Sequence, residues 1–158
     1  MIKLFRIDHR LLHGQVIFSW VNALGADCIL VANDDVAQSE ERKTILRMAK
    51  PAGVKLVMKS VDKSIEAINS GVTDKYKLMV IAGSVADAYK LAKGCASITS
   101  INYGNTLQSP TTKQLSEQIY LEPEELAKTS ELIAGGVVCE IRSLAVDKSI
   151  NIADILNS

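Results

Sequence analysis

Neither sign of charge is in excess. Eighteen Lys and Arg balance eighteen Asp and Glu across 158 residues, a formal net charge of zero. A nucleic-acid binder usually carries a basic surplus. A disordered chain combines high net charge with few apolar residues, whereas 47% of this chain is hydrophobic. Cysteine is scarce: Cys28, Cys95 and Cys139 lie far apart, are odd in number and form no CxxC pair. That argues against a disulfide framework and a zinc ribbon. Each sits in an apolar run and reads as a reduced core residue. Long hydrophobic runs are missing too. The longest, Val16 to Ala32, is broken by Asn22 and Asp27 and is too interrupted for a membrane span. The opening MIKLFRIDHR has no apolar segment of the signal-peptide kind. No linker, repeat or low-complexity stretch divides the chain. The length fits one domain, residues 1–158, able to bury roughly two thirds of its unfolded surface without a staple.

What is present is an alternation of short apolar runs with amphipathic ones. Ile2–Ile7, Asp27–Ala32, Val54–Met58, Lys77–Ala82 and Ser97–Tyr103 read as five strands. DCILVA and KLMVIA are nearly all apolar, as expected of strands covered on both faces. Between them lie helices at Gly14–Leu24, Ser39–Lys50, Val61–Asn69 and Ser84–Lys93. Val16, Ile17, Trp20, Val21 and Leu24 recur at helical spacing in the first, and Gly25 ends it. In the second, Ile45, Leu46 and Met48 are expected to face the core. Asn33, Asp34 and Asp35 break the chain after the second strand. After Tyr103 the rhythm changes. Residues 104–112 form a polar loop, Gln114–Leu121 alternates like a sixth strand, and Glu122–Ile133 is a helix with Pro123 in its first turn. Val137–Ile141 is a seventh strand and Ser149–Leu156 a terminal helix. Such a succession predicts an α/β fold: a three-layer open sheet of about seven mostly parallel strands with helices on both faces. The missing helix between the fifth and sixth strands allows one antiparallel strand there.

Only two histidines exist, His9 and His13, and both fall between the first strand and the first helix, in Arg6–Val16 (RIDHRLLHGQV). Open α/β sheets bind ligands beyond the carboxyl ends of their strands, where this segment lies. The helix start after His13, at Gly14 and Gln15, offers free N–H groups and a partial positive charge suited to phosphate. Arg10 is placed to clamp phosphate oxygens. Asp8 is placed to hold one imidazole nitrogen and leave the other as a nucleophile. A transient phosphohistidine is one reading of these residues. A solvated loop with an Arg–Asp pair is another. A metal site is a third, but the four-residue His spacing precedes the helix and no third ligand is near, so no metal is expected. Asp34, Asp35 and Asn102 end strands at the same edge, as site residues or as ordinary turn residues. Leu11 and Leu12 beside His13 are either docking anchors or core. There is no GxGxxG, no GxxxxGK[ST] and no GxSxG.

Arg6–Val16 resembles the RIDxRLIHGQV signature of IIB components in the mannose/fructose/sorbose family of the bacterial phosphoenolpyruvate:sugar phosphotransferase system. Further resemblances follow in order. Trp20 lies in the first helix, Val31–Ala37 (VANDDVA) is similar to the family's V-x-[ND]-D-x-[VI]-A turn, and Arg42 and Lys43 sit in the next helix. Ile101–Gly104 (INYG) is similar to its INxGG or INxGN turn, and Leu121–Ile141 follows the same pattern. Asn105 stands where many members have a second Gly, a feature of N-acetylgalactosamine-type members.

The resemblance implies a cytoplasmic phosphocarrier bound peripherally to the inner face of the membrane. His13, the histidine before Gly-Gln, is the implied phosphoryl acceptor and donor; Arg10 and Asp8 are its implied helpers, and His9 falls on a variable position. The implied donor is a phosphohistidine on a IIA domain. The implied recipient is a hexose or amino sugar held by the IIC and IID membrane subunits. The implied activity is that of a protein-N(π)-phosphohistidine–sugar phosphotransferase. No organic cofactor is implied, the phosphohistidine being the covalent intermediate, and no nucleic-acid partner is expected. The alternative from another class is a non-catalytic flavodoxin-like module that binds an anion at the same loop.

Overall fold

Residues 1–157 are described by a computed structural model. Strands β1 (Ile2–Asp8), β2 (Cys28–Ala32), β3 (Lys55–Lys59), β4 (Leu78–Ala82), β5 (Ser100–Asn105) and β8 (Val138–Ile141) join in parallel. A two-residue strand β9 (Ile150–Asn151) adds antiparallel to β8, which gives a seven-stranded sheet of order β3-β2-β4-β1-β5-β8-β9. Every residue of β2 and β4 is buried. Their side chains alternate between two cores. Leu30 and Val80 join the core beneath α4 (Val61–Ser70), α5 (Val85–Gly94), α6 (Pro123–Ala134) and α7 (Ile152–Leu156). Ile29 and Ile81 join the core beneath α1 (Gly14–Leu24), α2 (Asp34–Ala37) and α3 (Glu40–Ala49). These are the three layers expected of strands apolar on both faces. All three cysteines are free and buried.

β1 lies between β4 and β5. Its own connection, through α1, crosses one face toward β2, whereas α5 crosses the other face toward β5. The connections therefore diverge at the carboxyl end of β1, the crevice where open α/β sheets bind ligands. The histidine loop, residues 9–13, fills that position.

Four local expectations are corrected. The stretch read as a sixth strand is a separate hairpin of β6 (Lys113–Gln114) and β7 (Tyr120–Leu121). The polar residues Ser116, Glu117 and Gln118 turn the chain, so the alternation belongs to two short strands and not one. The antiparallel strand of the main sheet is instead β9, read from sequence as the start of a helix because Asn151 also caps α7 through Ala153 N–H. Asp34–Ala37 is a short helix capped by Asn33, not a plain break.

The fourth correction concerns α3. Leu46 is buried, but Ile45 and Met48 are 58% and 83% exposed. α3 lies toward the rim of the sheet, so a single apolar position per turn meets the core. Leu46→Ala is expected to cost about 2–4 kcal/mol in urea denaturation, from lost burial and a cavity. Met48→Ala is expected to change stability by less than about 0.5 kcal/mol.

Candidate functional site

β1 ends at Asp8, with an irregularity in its pairing to β5 between Ile7 and Asp8. The following loop is held by backbone and carboxylate. His9 N–H donates to the Asn105 carbonyl at 3.1 Å, Leu11 N–H to the Asp8 carbonyl at 3.0 Å, and Arg10 N–H to Asp8 Oδ1 at 3.0 Å. Leu11 has φ +61°, a left-handed conformation that costs a non-glycine residue roughly 1–2 kcal/mol. Burial of Leu11 and Leu12 in the α1–α3 core offsets that cost, so both leucines are core residues and not surface anchors.

His13 is the N-cap of α1, but its side chain caps nothing. Gly14 follows at φ +45°, a turn that an L side chain rarely adopts. α1 has no acidic residue in its first turn. α3, α4 and α5 begin instead on capping serines and carry first-turn acids, and α6 has a capping box. The first N–H groups of α1 and its positive dipole end are therefore left for something else, and they sit beside an imidazole that is 26% exposed.

The imidazole is held from below. His13 Nε2 lies 3.0 Å from Oδ2 of Asp8, whose side chain is 0% exposed. In the neutral ring, that contact calls for the proton on Nε2 and leaves Nδ1 with the lone pair. Asp8 Oδ2 also accepts from Arg6 Nη2 at 3.1 Å and Nε at 3.4 Å. Arg6 Nη1 donates to Asn102 Oδ1 at 2.7 Å and to the Arg142 carbonyl at 3.0 Å. Asn102 Nδ2 in turn donates to Glu140 Oε1 at 3.2 Å and to the same carbonyl at 3.0 Å. The guanidinium of Arg6 lies 5.8 Å from the Trp20 ring and that of Arg142 5.2 Å, while the Trp20 indole N–H donates to the Ser143 carbonyl. Burial presses the Arg6 pKa down and Asp8 opposes it; arginine starts so high that the group stays charged.

His13 and Asp8 are brought together, and Gly14 and Gln15 form the exposed helix start beside them. Arg10 is exposed; its guanidinium makes no hydrogen bond or ion pair among the described residues and is free to meet an incoming anion. His9 lines a different cavity, of about 350 Å³, with Ser84, Thr106, Leu107 and Glu125. Burial lowers its pKa, with Arg10 and His13 adding to the effect and Asp8 opposing it.

Asn102 is not at the edge of the site. It is buried beneath it as the support for Arg6. Asp34 and Asp35 are not brought to His13 either. Asp34 accepts the Val61 N–H at the start of α4 at 2.9 Å, and both raise the pKa of Asp87, second to its own burial.

Two residues had been given no role. Arg6 lies between the buried side chains of Phe5 and Ile7, and a buried charge demands a partner. Gly104 faces it: a Cβ there would stand 2.1 Å from Arg6 Cζ. Gly104→Ala is accordingly expected to destabilise the fold by about 1–3 kcal/mol in chemical denaturation, because the guanidinium is fixed by four hydrogen bonds to three acceptors and cannot yield. An unchanged midpoint would show that Arg6 is not confined as described.

The sequence profile of the "PTS system sorbose subfamily IIB component" matches residues 2–158. A protein of Klebsiella pneumoniae named PTS system sorbose-specific EIIB component is 33% identical over 156 residues, 99% of this chain and 95% of that protein. An Escherichia coli K12 protein named PTS system mannose-specific EIIAB component is 29% identical over 157 residues, 99% of this chain but 49% of that longer protein. The crystal structure of the IIBSor domain of the Klebsiella pneumoniae sorbose permease superposes with a TM-score of 0.92 at 32% identity, covering 99% of this chain and 96% of that one. No helix among the described residues is long and apolar enough to cross a membrane. With the profile spanning nearly the whole chain and the fold shared with a solved member, the chain belongs to the sorbose subfamily of phosphotransferase-system IIB components.

Proposed function

We propose that this chain carries a phosphoryl group on Nδ1 of His13 between a IIA phosphohistidine and a sugar. One observation carries the reading: Asp8 occupies Nε2, which leaves Nδ1 free beside the uncapped start of α1. In the first transfer the N–P bond on the donor imidazole breaks as a bond from phosphorus to His13 Nδ1 forms. In the second, that bond breaks as a hydroxyl oxygen of the sugar takes the phosphoryl group, and the hydroxyl proton leaves to solvent or a base. Little covalent help is needed; positioning and charge stabilisation do most of the work. The N–H groups of Gly14 and Gln15 and the guanidinium of Arg10 meet the phosphoryl oxygens, while Asp8 stabilises the positive charge on the ring. Arg6 and Asn102 hold Asp8 in place.

The donor in this reading is a IIA domain, consistent with the name EIIAB of the longer Escherichia coli relative. The recipient is a hexose or an amino sugar, of the N-acetylgalactosamine type suggested by Asn105, held by IIC and IID membrane subunits. Both exchanges pass through one partly exposed imidazole, so donor and acceptor dock in turn. The protein works on the inner face of the membrane without an organic cofactor or metal.

Incubation with phosphoenolpyruvate, the general phosphotransferase components and IIA is expected to add the mass of one phosphoryl group. His13→Ala is expected to abolish that gain with the fold intact, and His9→Ala to retain it. Arg10→Ala is expected to slow transfer by about 10²–10³, and Arg10→Lys to recover only part, because an ammonium lacks the planar fork. Undiminished uptake by His13→Ala, or a rate within about threefold of wild type for Arg10→Ala, would contradict these roles.

A further inference from the structure

With Leu11 and Leu12 committed to the core, the exposed apolar surface on the Arg10 side of the histidine loop comes from α3, while Leu107 borders His9 on the other side. Arg42, Ile45 and Met48 are spaced three apart and form one stripe along the helix. Arg42 and Ile45 share a cleft of about 160 Å³ with Arg10, Leu11, Leu12 and Leu46. The stripe therefore begins at the histidine loop and runs outward over the two exposed apolar side chains. Its charge is mostly basic: Arg10, Arg42, Lys43 and Arg47 stand against Glu40 and Glu41. Lys43 and Arg47 both lean on Glu40, whereas Arg10 and Arg42 make no ion pair among the described residues. Asp34 and Asp35 of the neighbouring α2 gather instead with Asp87 near the start of α5. Exposed methionine and isoleucine bordered by unpaired arginines match the centre of a protein–protein contact, where Met and Arg are enriched.

We propose that the Arg42–Ile45–Met48 stripe is the docking surface for the phosphorylated donor domain, an inference that rests on the phosphocarrier reading above. The donor brings a phosphoryl group of nearly two negative charges to His13 Nδ1. The face it approaches has to be basic and continuous with Arg10, as the α3 stripe is through Arg42. The complementary surface on the donor is an apolar patch with an acidic rim around its phosphohistidine. The arginines govern the approach and the two apolar side chains hold the encounter.

The test compares a protein donor with a small one. Wild type and the double variant Ile45→Ser/Met48→Ser are phosphorylated by phospho-IIA, regenerated from phosphoenolpyruvate, and separately by phosphoramidate, which needs no docking surface. The double variant is expected to raise KM for phospho-IIA about tenfold with kcat and the phosphoramidate rate unchanged. Arg42→Glu is expected to raise the same KM and to flatten its dependence on salt. A KM within about twofold of wild type in the double variant would overturn the assignment, as would a parallel loss with phosphoramidate, which would place the two residues in support of the loop. A wild-type chain that phosphoramidate phosphorylates and phospho-IIA does not would overturn the phosphocarrier reading itself.

Discussion

Asp8 has no exposed side-chain surface, yet its Oδ2 serves both the Arg6 guanidinium and the His13 imidazole. Burying a carboxylate and a guanidinium costs several kcal/mol per ion, and their attraction repays that only when the remaining donors and acceptors are filled. Here they are filled. Arg6 reaches Asn102 and the Arg142 carbonyl, Asp8 Oδ1 takes the Arg10 N–H, and Trp20 lies against the guanidinium. The gain is geometric more than energetic. A carboxylate that cannot move holds a partly exposed imidazole at the mouth of the sheet, with one nitrogen engaged and the other without a hydrogen bond among the described residues.

The same loop carries costs that a purely structural loop would avoid. Leu11 is left-handed, Gly14 forces an abrupt entry into α1, and α1 starts without a cap or an acid. A capping Ser, Thr, Asn or Asp in place of His13 would stabilise the helix by about 1 kcal/mol. Unfilled N–H groups beside an exposed imidazole make sense where the helix start is reserved for phosphoryl oxygens. The buried leucines and the ion pair below supply the rigidity that the uncapped start lacks.

Much of this was legible in the sequence because it follows from local patterning. DCILVA and KLMVIA announce strands covered on two faces, and a serine before an amphipathic run announces a helix start, as Ser84 bears out. The histidine loop could be placed because its position between strand and helix fixes which edge it occupies. What stayed hidden depends on contacts between distant residues. Asn102 and Arg6 are 96 positions apart, and no local pattern says that one supports the other. Gly104 looked like a turn glycine, but its lack of a side chain makes room for Arg6. The alternation at 113–121 and the apolar positions of α3 misled because periodicity reports spacing along the chain and not how much of a face meets the core.

The central claim is that Asp8 selects which nitrogen of His13 does the chemistry. Long-range ¹H–¹⁵N correlation spectra of the phosphorylated, histidine-labelled protein read this directly, because a phosphoryl group shifts the nitrogen that bears it and leaves the other distinguishable. The account predicts phosphorylation on Nδ1 of His13, with the Nε2 proton retained and pointing at Asp8. A phosphoryl group on Nε2, or on His9, would contradict it.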